Sequence, residues 1–275
     1  MRASRGLVAL RYGLLVVLAA LFLLPFYVLV RNAFATEAEM AAARWKWVPG
    51  QFDLENLRTL FADESVQMAR SMINSAVVSV VQTVATVVIS ALAGYGLARI
   101  DNRMSRVILG MTVLTLMVPA AVTFIPSFVI VSTLGWISTL RGLIIPVLFS
   151  AFATFLFRQF FLGFPRELEE AAYLDGAGYW RTFWRVVMPN TYGICAAVGA
   201  ITFIGSWNAF LWPLLIGQDR EFRTVQVALS QFLTSQNVNL PQLFVGATVA
   251  IIPVLLVFLF LQRYLVQGVE RSGID

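Results

Sequence analysis

Apolar runs of about twenty residues, parted by shorter polar stretches, set the pattern of this chain. A helix rises about 1.5 Å per residue and the hydrocarbon core of a bilayer is about 30 Å thick, so a spanning helix takes roughly 20 mostly apolar residues. Six stretches satisfy this: residues 12–30, 72–97, 107–131, 142–161, 191–216 and 243–261. The pattern predicts an all-α integral membrane protein with six transmembrane helices in a single domain, residues 1–275. Arg2, Arg5 and Arg11 precede the first run and Ala33-Phe34-Ala35 follows it, an arrangement shared with cleaved secretory signals. The apolar region of such a signal is usually about 7–15 residues long. This run is longer, which favours a retained anchor.

Polar and helix-breaking residues interrupt the runs at defined places. Pro25, Pro119, Pro126, Pro146, Pro213 and Pro253 fall inside or near the ends of the spans. Each frees a backbone carbonyl, which a membrane interior tolerates only where a neighbouring helix or an aqueous cavity satisfies it, so a packed bundle is expected. The second span carries Asn74, Ser75, Ser79, Gln82, Thr83, Thr86 and Ser90. Two readings are open: contacts that let helices approach closely, or the lining of a path for a polar solute, with Asn74 and Gln82 as candidates. Trp207-Asn208-Ala209-Phe210-Leu211-Trp212-Pro213 in the fifth span sets an amide beside two indoles. It reads either as an interfacial aromatic belt or as a sugar contact by Trp207, Asn208 and Phe210, since sugars stack their CH faces on rings and need amide partners for their hydroxyls. Cys195 reads as a small apolar filler, and Lys46 between Trp45 and Trp47 as an interfacial anchor.

Composition narrows the chemistry. The chain is 59% hydrophobic and 13% charged, against about 25% charged in soluble domains. With no His, one Cys and one Lys, it lacks the means for His-based general base catalysis, zinc sites, paired-Cys redox chemistry or disulfides. No catalytic residue and no metal site is expected. The side holding both termini carries twelve arginines against seven acids, whereas the other side carries eight basic residues against eight acids. The formal +5 thus lies on one face, which the positive-inside rule makes cytoplasmic. The pI of about 9.8 therefore reflects topology and gives no support to nucleic-acid binding.

Residues 163–189 form the long loop on that face. Pro165 followed by Glu167, Glu169 and Glu170 is a helix start, and Gly176 stands where a C-terminal glycine cap would end the helix. A second amphipathic stretch places Phe183 and Val186 on one face and Arg181 and Arg185 on another, stopping near Pro189. Helix, glycine turn and helix follow in order. The loop reads either as an interfacial linker resting on lipid headgroups or as a docking element, with Glu170 available to a partner arginine and Gly176 allowing close backbone approach.

Glu170-Ala171-Ala172-x-x-Asp175-Gly176-Ala177, with Pro189 beyond, resembles the EAA loop of the permeases of ATP-binding-cassette (ABC) importers. The likeness extends over nearly the whole chain and is nearest to the MalG-like permeases of the carbohydrate uptake transporter-1 group. Asn56-Leu57 before Phe61, Asn74-Ser75, Gly94-Tyr95-Gly96-Leu97-Ala98-Arg99, Phe157-Arg158-Gln159-Phe160-Phe161, Trp207-Asn208 with Pro213-Leu214, and Gln262 to Gly268 are similar to that group. The tail Val269 to Asp275 departs from it.

The resemblance implies a bacterial inner-membrane subunit for sugar, oligosaccharide or glycerol-phosphate import, with residues 163–189 as a cytoplasmic helix-turn-helix coupling loop. Its implied partners are a second, MalF-like permease, two ATPase subunits holding ATP and magnesium, and an extracytoplasmic solute-binding protein. This chain has no G-x-x-x-x-G-K-[ST] phosphate loop, so it is not expected to be an enzyme or to hold a cofactor. By analogy with the group, Gln231, Thr234, Ser235, Gln236 and Asn237 approach the sugar site of the binding protein. An ABC permease for a polyamine or peptide would keep the same loop. An ion-coupled secondary carrier would need acids or His within the membrane, and no acid falls inside the six runs. A structural scaffold would need no polar path.

Overall fold

The computed structural model describes residues 5–233 and 238–270. Among them the secondary structure is helical apart from one antiparallel bridge, Leu233 to Val238. The helices are α1 (Arg5–Ala33), α2 (Glu37–Ala41), α3 (Glu55–Ala62), α4 (Met68–Arg99), α5 (Arg103–Met117), α6 (Ala120–Thr133) and α7 (Leu140–Ile144). They continue with α8 (Ala151–Leu162), α9 (Arg166–Leu174), α10 (Tyr179–Thr182), α11 (Tyr192–Trp207), α12 (Leu211–Ile216), α13 (Val225–Ser230) and α14 (Leu240–Glu270).

Among the described residues three helices are long and apolar enough to cross a membrane unbroken, within α1, α4 and α14. Three bent pairs of helices meet the same measure of length and composition, which brings the number to six if each pair is one span. α5 and α6 meet at 103°, the α7 segment and α8 at 43°, and the α10 segment and α11 at 79°. The run 107–131 is therefore divided rather than straight. Pro119 explains the break: it disfavours helical geometry in the residue before it, and Val118 has φ −83° and ψ 118°. At the second bend, Pro146 lies in a 3₁₀ turn, Ile145–Val147, and Ser150 Oγ restarts the helix by accepting from Ala153 N–H at 3.1 Å. The run 191–216 is also split, between α11 and α12 at residues 208–210.

The chain divides into two compact units, Met1–Ala69 with Ala228–Ile252, and Arg70–Val227 with Pro253–Asp275. In the first, Ala33, Ala35, Leu60, Met68, Leu229, Phe232 and Val245 are buried. Arg31 is buried at the end of α1. Its Nε donates to Lys46 O at 3.1 Å, its Nη1 donates to Asn32 Oδ1 at 2.8 Å, and the guanidinium lies 4.7 Å from the Trp45 ring centroid. The segment after α1 is thus pinned by its main chain and by one indole, while Trp47 remains exposed.

Among the described residues of the second unit, two apolar clusters stand out. Ala91 and Tyr95 of α4, Ala153, Phe157 and Phe161 of α8, Phe164, Phe183, Val187 and Val198 form the larger. Val78, Val131, Leu143 and Ile216 form the smaller. Backbones approach closely at Gly94, where a methyl group would lie 2.7 Å from Phe157 Cβ and 2.8 Å from Arg158 N. Cys195 lines an apolar cavity of about 450 Å³ with Val84, Gly199 and Phe203.

Side chains satisfy the carbonyls that the breaks expose. Pro146 has no N–H for Gly142 O, four residues earlier, and that oxygen accepts instead from Trp212 Nε1 at 3.1 Å. Gln82 Nε2 donates to Leu143 O at 3.1 Å and Thr86 Oγ1 to Leu148 O at 3.0 Å. Two members of the α4 polar series, Gln82 and Thr86, therefore serve the main chain of a broken neighbour, as a membrane interior demands.

Candidate functional site

The segment 163–189 folds as expected from its end signals. Pro165 occupies the cap position of α9 with φ −57° and ψ 122°, and Glu167 and Glu169 lie in the first turn. At the other end Gly176 has φ +79°, a left-handed conformation that favours glycine. Gly176 N–H donates to Tyr173 O at 3.0 Å and Ala177 N–H to Ala172 O at 2.9 Å, the paired bonds of a Schellman motif. The Ala172, Asp175, Gly176 and Ala177 positions of the motif are thus the last turn and the cap of one short helix.

Glu169 is the buried member of α9, whereas Glu170 and Ala171 are exposed and Ala172 is half-buried. Leu174 is 90% exposed, an unusual placement for leucine and one that leaves an apolar side chain one turn after Glu170. Asp175 and Gly176 are exposed too, and Ala177 is half-buried. After Gly178, α10 runs into a π-helical turn, Phe183–Val187, then a 3₁₀ turn, Met188–Asn190, that contains exposed Pro189. Phe183 and Val187 are buried and Arg181 and Arg185 exposed, while Val186 is half-buried. The inward residues of the second stretch are therefore Thr182, Phe183 and Val187.

Sequence reading did not single out what holds α9. Glu169 Oε1 accepts from Arg99 Nε at 2.8 Å and from Arg99 Nη2 at 2.6 Å, and its Oε2 accepts from Tyr95 OH at 2.8 Å. Arg99 Nη2 also donates to Phe164 O at 3.0 Å. A signal was available: Tyr95 and Arg99 stand one turn apart at the end of α4, so both donors share a face.

The candidate path residues separate into two sets. Asn74 Nδ2 donates to Glu221 O at 2.8 Å and Arg223 O at 2.9 Å, and Gln82 is committed to Leu143 O. Trp207 is buried against Phe203, with the rings stacked at 17°. Asn208 and Phe210 instead lie exposed at the α11–α12 break. Asn208 Oδ1 accepts from Gln226 Nε2 of α13 at 3.2 Å. Ser75 Oγ accepts from Val225 N–H at 2.8 Å, so Asn74 and Ser75 together hold residues 221–225 against the start of α4. Gln231 is half-buried after α13, while Thr234, Ser235, Gln236 and Asn237 lie outside the described residues. Among the described residues no group of three or more His, Cys, Asp or Glu side chains is placed to hold a metal.

A helical membrane protein with broken spans and a capped, outward-facing helix between two of them is the class that these features define. The chain belongs to the family described as binding-protein-dependent transport system inner membrane component, whose pattern matches residues 67–271. It is similar to the lactose transport system permease protein LacG of Rhizobium radiobacter, at 31% identity over 95% of this chain and 94% of that one. It is similar also to the arabinooligosaccharides transport system permease protein AraQ of Bacillus subtilis, at 31% over 94% and 92%. The sn-glycerol-3-phosphate transport system permease protein UgpE of Yersinia pestis matches at 31% over 98% of each chain. A crystal structure of a bacterial ABC transporter involved in the import of the acidic polysaccharide alginate aligns with a TM-score of 0.86, covering 96% of this chain and 98% of that one. Its identity is 23%, and that likeness is one of fold.

Proposed function

We propose that this chain is one of two permeases in an ABC importer of carbohydrate, taken to include glycerol-phosphate-like solutes, and that α9 is its coupling helix. The observation that carries the reading is the outward face of α9. Glu170, Leu174 and Gly176 are exposed on a helix whose other side is fixed through Glu169. An exposed carboxylate beside an exposed leucine suits a cleft that offers an arginine and an apolar wall. The partner is an ATPase subunit that binds ATP and magnesium; a second, MalF-like permease and an extracytoplasmic solute-binding protein complete the assembly. The charge asymmetry of the loops supports a cytoplasmic location for both termini and α9. The names of the relatives favour a sugar or sugar-like solute.

Asn208, Gln226 and Phe210 are the side chains we place on the solute path, because their amides and ring are accessible where the fifth span is open. Asn74 and Gln82 act behind them by holding the surrounding main chain, and Trp207 by packing on Phe203. The segment from Gly217 to Pro241, including Gln231 and residues 234–237, is the proposed contact for the binding protein.

The decisive experiment expresses the importer with Glu170→Ala or Leu174→Asp in this chain. ATPase subunits are expected to be lost on purification, or to hydrolyse ATP without uptake, while the permease remains in the membrane. Normal uptake and normal ATPase recovery in both variants would remove α9 from the coupling role. A ligand screen on the cognate binding protein identifies the solute, and a protein that binds only polyamine or peptide would overturn the carbohydrate assignment.

A further inference from the structure

Glu169 and Glu170 are neighbours in sequence with opposite roles. Glu170 faces solvent, whereas the Glu169 and Arg99 side chains are 5% and 7% exposed and 2.6 Å apart. Arg99 closes α4, and Tyr95, one turn earlier, grips the second oxygen of the same carboxylate. Tyr95 is itself wedged between rings, 5.4 Å from Phe161 and 5.0 Å from Phe183 by centroid. A carboxylate held by three donors from one helix has little freedom to slide. Within α9 no other residue is buried, so this clamp is the main lateral hold on the helix.

Among the described long helices, the clamped one is also the one without proline. α1 contains Pro25 and α14 contains Pro253, whereas α4 runs 32 residues without proline. From Arg99 to Asn74 it covers about 37 Å at 1.5 Å per residue. At that far end Asn74 and Ser75 hold residues 221–225 through three bonds, and Arg70 Nη2 meets Glu221 Oε2 at 3.3 Å. The next residue, Gln226, touches Asn208.

We infer that α4 is a connecting rod, clamped to α9 by Arg99, Tyr95 and Glu169 and to residues 221–225 by Asn74 and Ser75. Displacement of α9 moves the Gln226–Asn208 contact at the opposite end. Glu169 is a positioning residue: it touches neither solute nor ATPase but decides whether a push on Glu170 and Leu174 reaches the rod. This assignment rests on the coupling role proposed for α9.

The test uses the complete importer in proteoliposomes, with Gln226→Cys as reporter in a Cys195→Ser background. Modification of the reporter by an impermeant maleimide is measured with and without ATP and orthovanadate, which needs no knowledge of the solute. The rate is expected to change about fivefold or more on trapping, the lower range for coupled sites. Glu169→Gln should abolish the change while ATPase subunits still co-purify. Because removing one partner strands a buried charge, the paired variant Arg99→Met with Glu169→Met is measured as well, and it too should lose the response. A reporter that does not respond in the parent complex, or that responds undiminished in the paired variant, overturns the inference. Crosslinking from Leu174→Cys separates the two claims: a crosslink to the ATPase with an undiminished response sinks the rod alone, and no crosslink to the ATPase sinks the coupling role on which it rests.

Discussion

Replacing Gly176 isolates the contribution of one backbone conformation to the end of α9. Its φ of +79° would cost an L-residue about 1–2 kcal/mol. Among the described residues no atom beyond Gly176 and its two chain neighbours lies within 4 Å of where a Cβ would stand, so Gly176→Ala adds no clash with the rest of the structure and the backbone term is the main local cost. That term opposes the two bonds that close the helix, Gly176 N–H to Tyr173 O and Ala177 N–H to Ala172 O. A penalty of about 1–2 kcal/mol shifts the balance between capped and frayed ends by about 5–30-fold. Hydrogen exchange on the purified complex measures it directly. The amides of Gly176 (as Ala) and Ala177 should exchange about 5–30-fold faster, with α4 and α8 unchanged. Gly176→Asn should lie between, since asparagine tolerates the left-handed region better than alanine. Equal exchange in wild type and Gly176→Ala would refute the cap argument. Transport then adds a second readout: equal loss in the Asn and Ala variants, despite unequal exchange, would mean that the exposed surface at the end of α9 requires a bare backbone at this position.

Other expectations follow from single contacts. Gly94→Ala should lower the thermal midpoint in detergent, because overpacking costs about 1–3 kcal/mol where α4 meets α8, whereas Gly96→Ala two residues on meets nothing within 4 Å and should be neutral or stabilising. Gln82→Leu should cost about 1 kcal/mol by leaving Leu143 O without its donor, read as a lower unfolding midpoint; no change would mean that the carbonyl finds another partner. Arg31→Leu removes bonds to a charged donor worth about 1.5–3 kcal/mol, so trypsin should cut at Arg44 and Lys46 about tenfold faster or more, and an unchanged rate would show that Arg31 does not hold that segment.

The spans were legible because a bilayer imposes length and hydropathy together. α1, α4 and α14 enclose the predicted runs 12–30, 72–97 and 243–261, each extending beyond them at both ends. The division of 107–131 was partly legible in Pro119, but the 103° bend depends on what packs around it. The polar series of α4 left two readings open because sequence does not say which carbonyls a broken neighbour exposes. Once the bends are placed, Gln82 and Thr86 have defined partners. The cap of α9 was legible from Pro165 and Gly176, since both act through their own backbone geometry. The inward turn of Glu169 was not, because a nine-residue helix with three nearby acids offers several faces, and the choice is made by Arg99, seventy residues away. The partner of Asn208 was not legible, because the fold of residues 219–226 is what brings Gln226 to it.

The π-helical turn at Phe183–Val187 has a consequence for how the second half of the loop tolerates change. It accommodates one more residue than an α-helical turn would, and each residue of an α-helix turns the chain by about 100°. Removing one residue there would let an ordinary helix form without disturbing the apolar run that follows. Trp180 and Arg181 ahead of it would keep their facing as well, because the wider turn takes up the extra residue locally. Chain length in this turn is thereby slack, whereas a deletion inside the regular turns of α9 would rotate everything beyond it by about 100°.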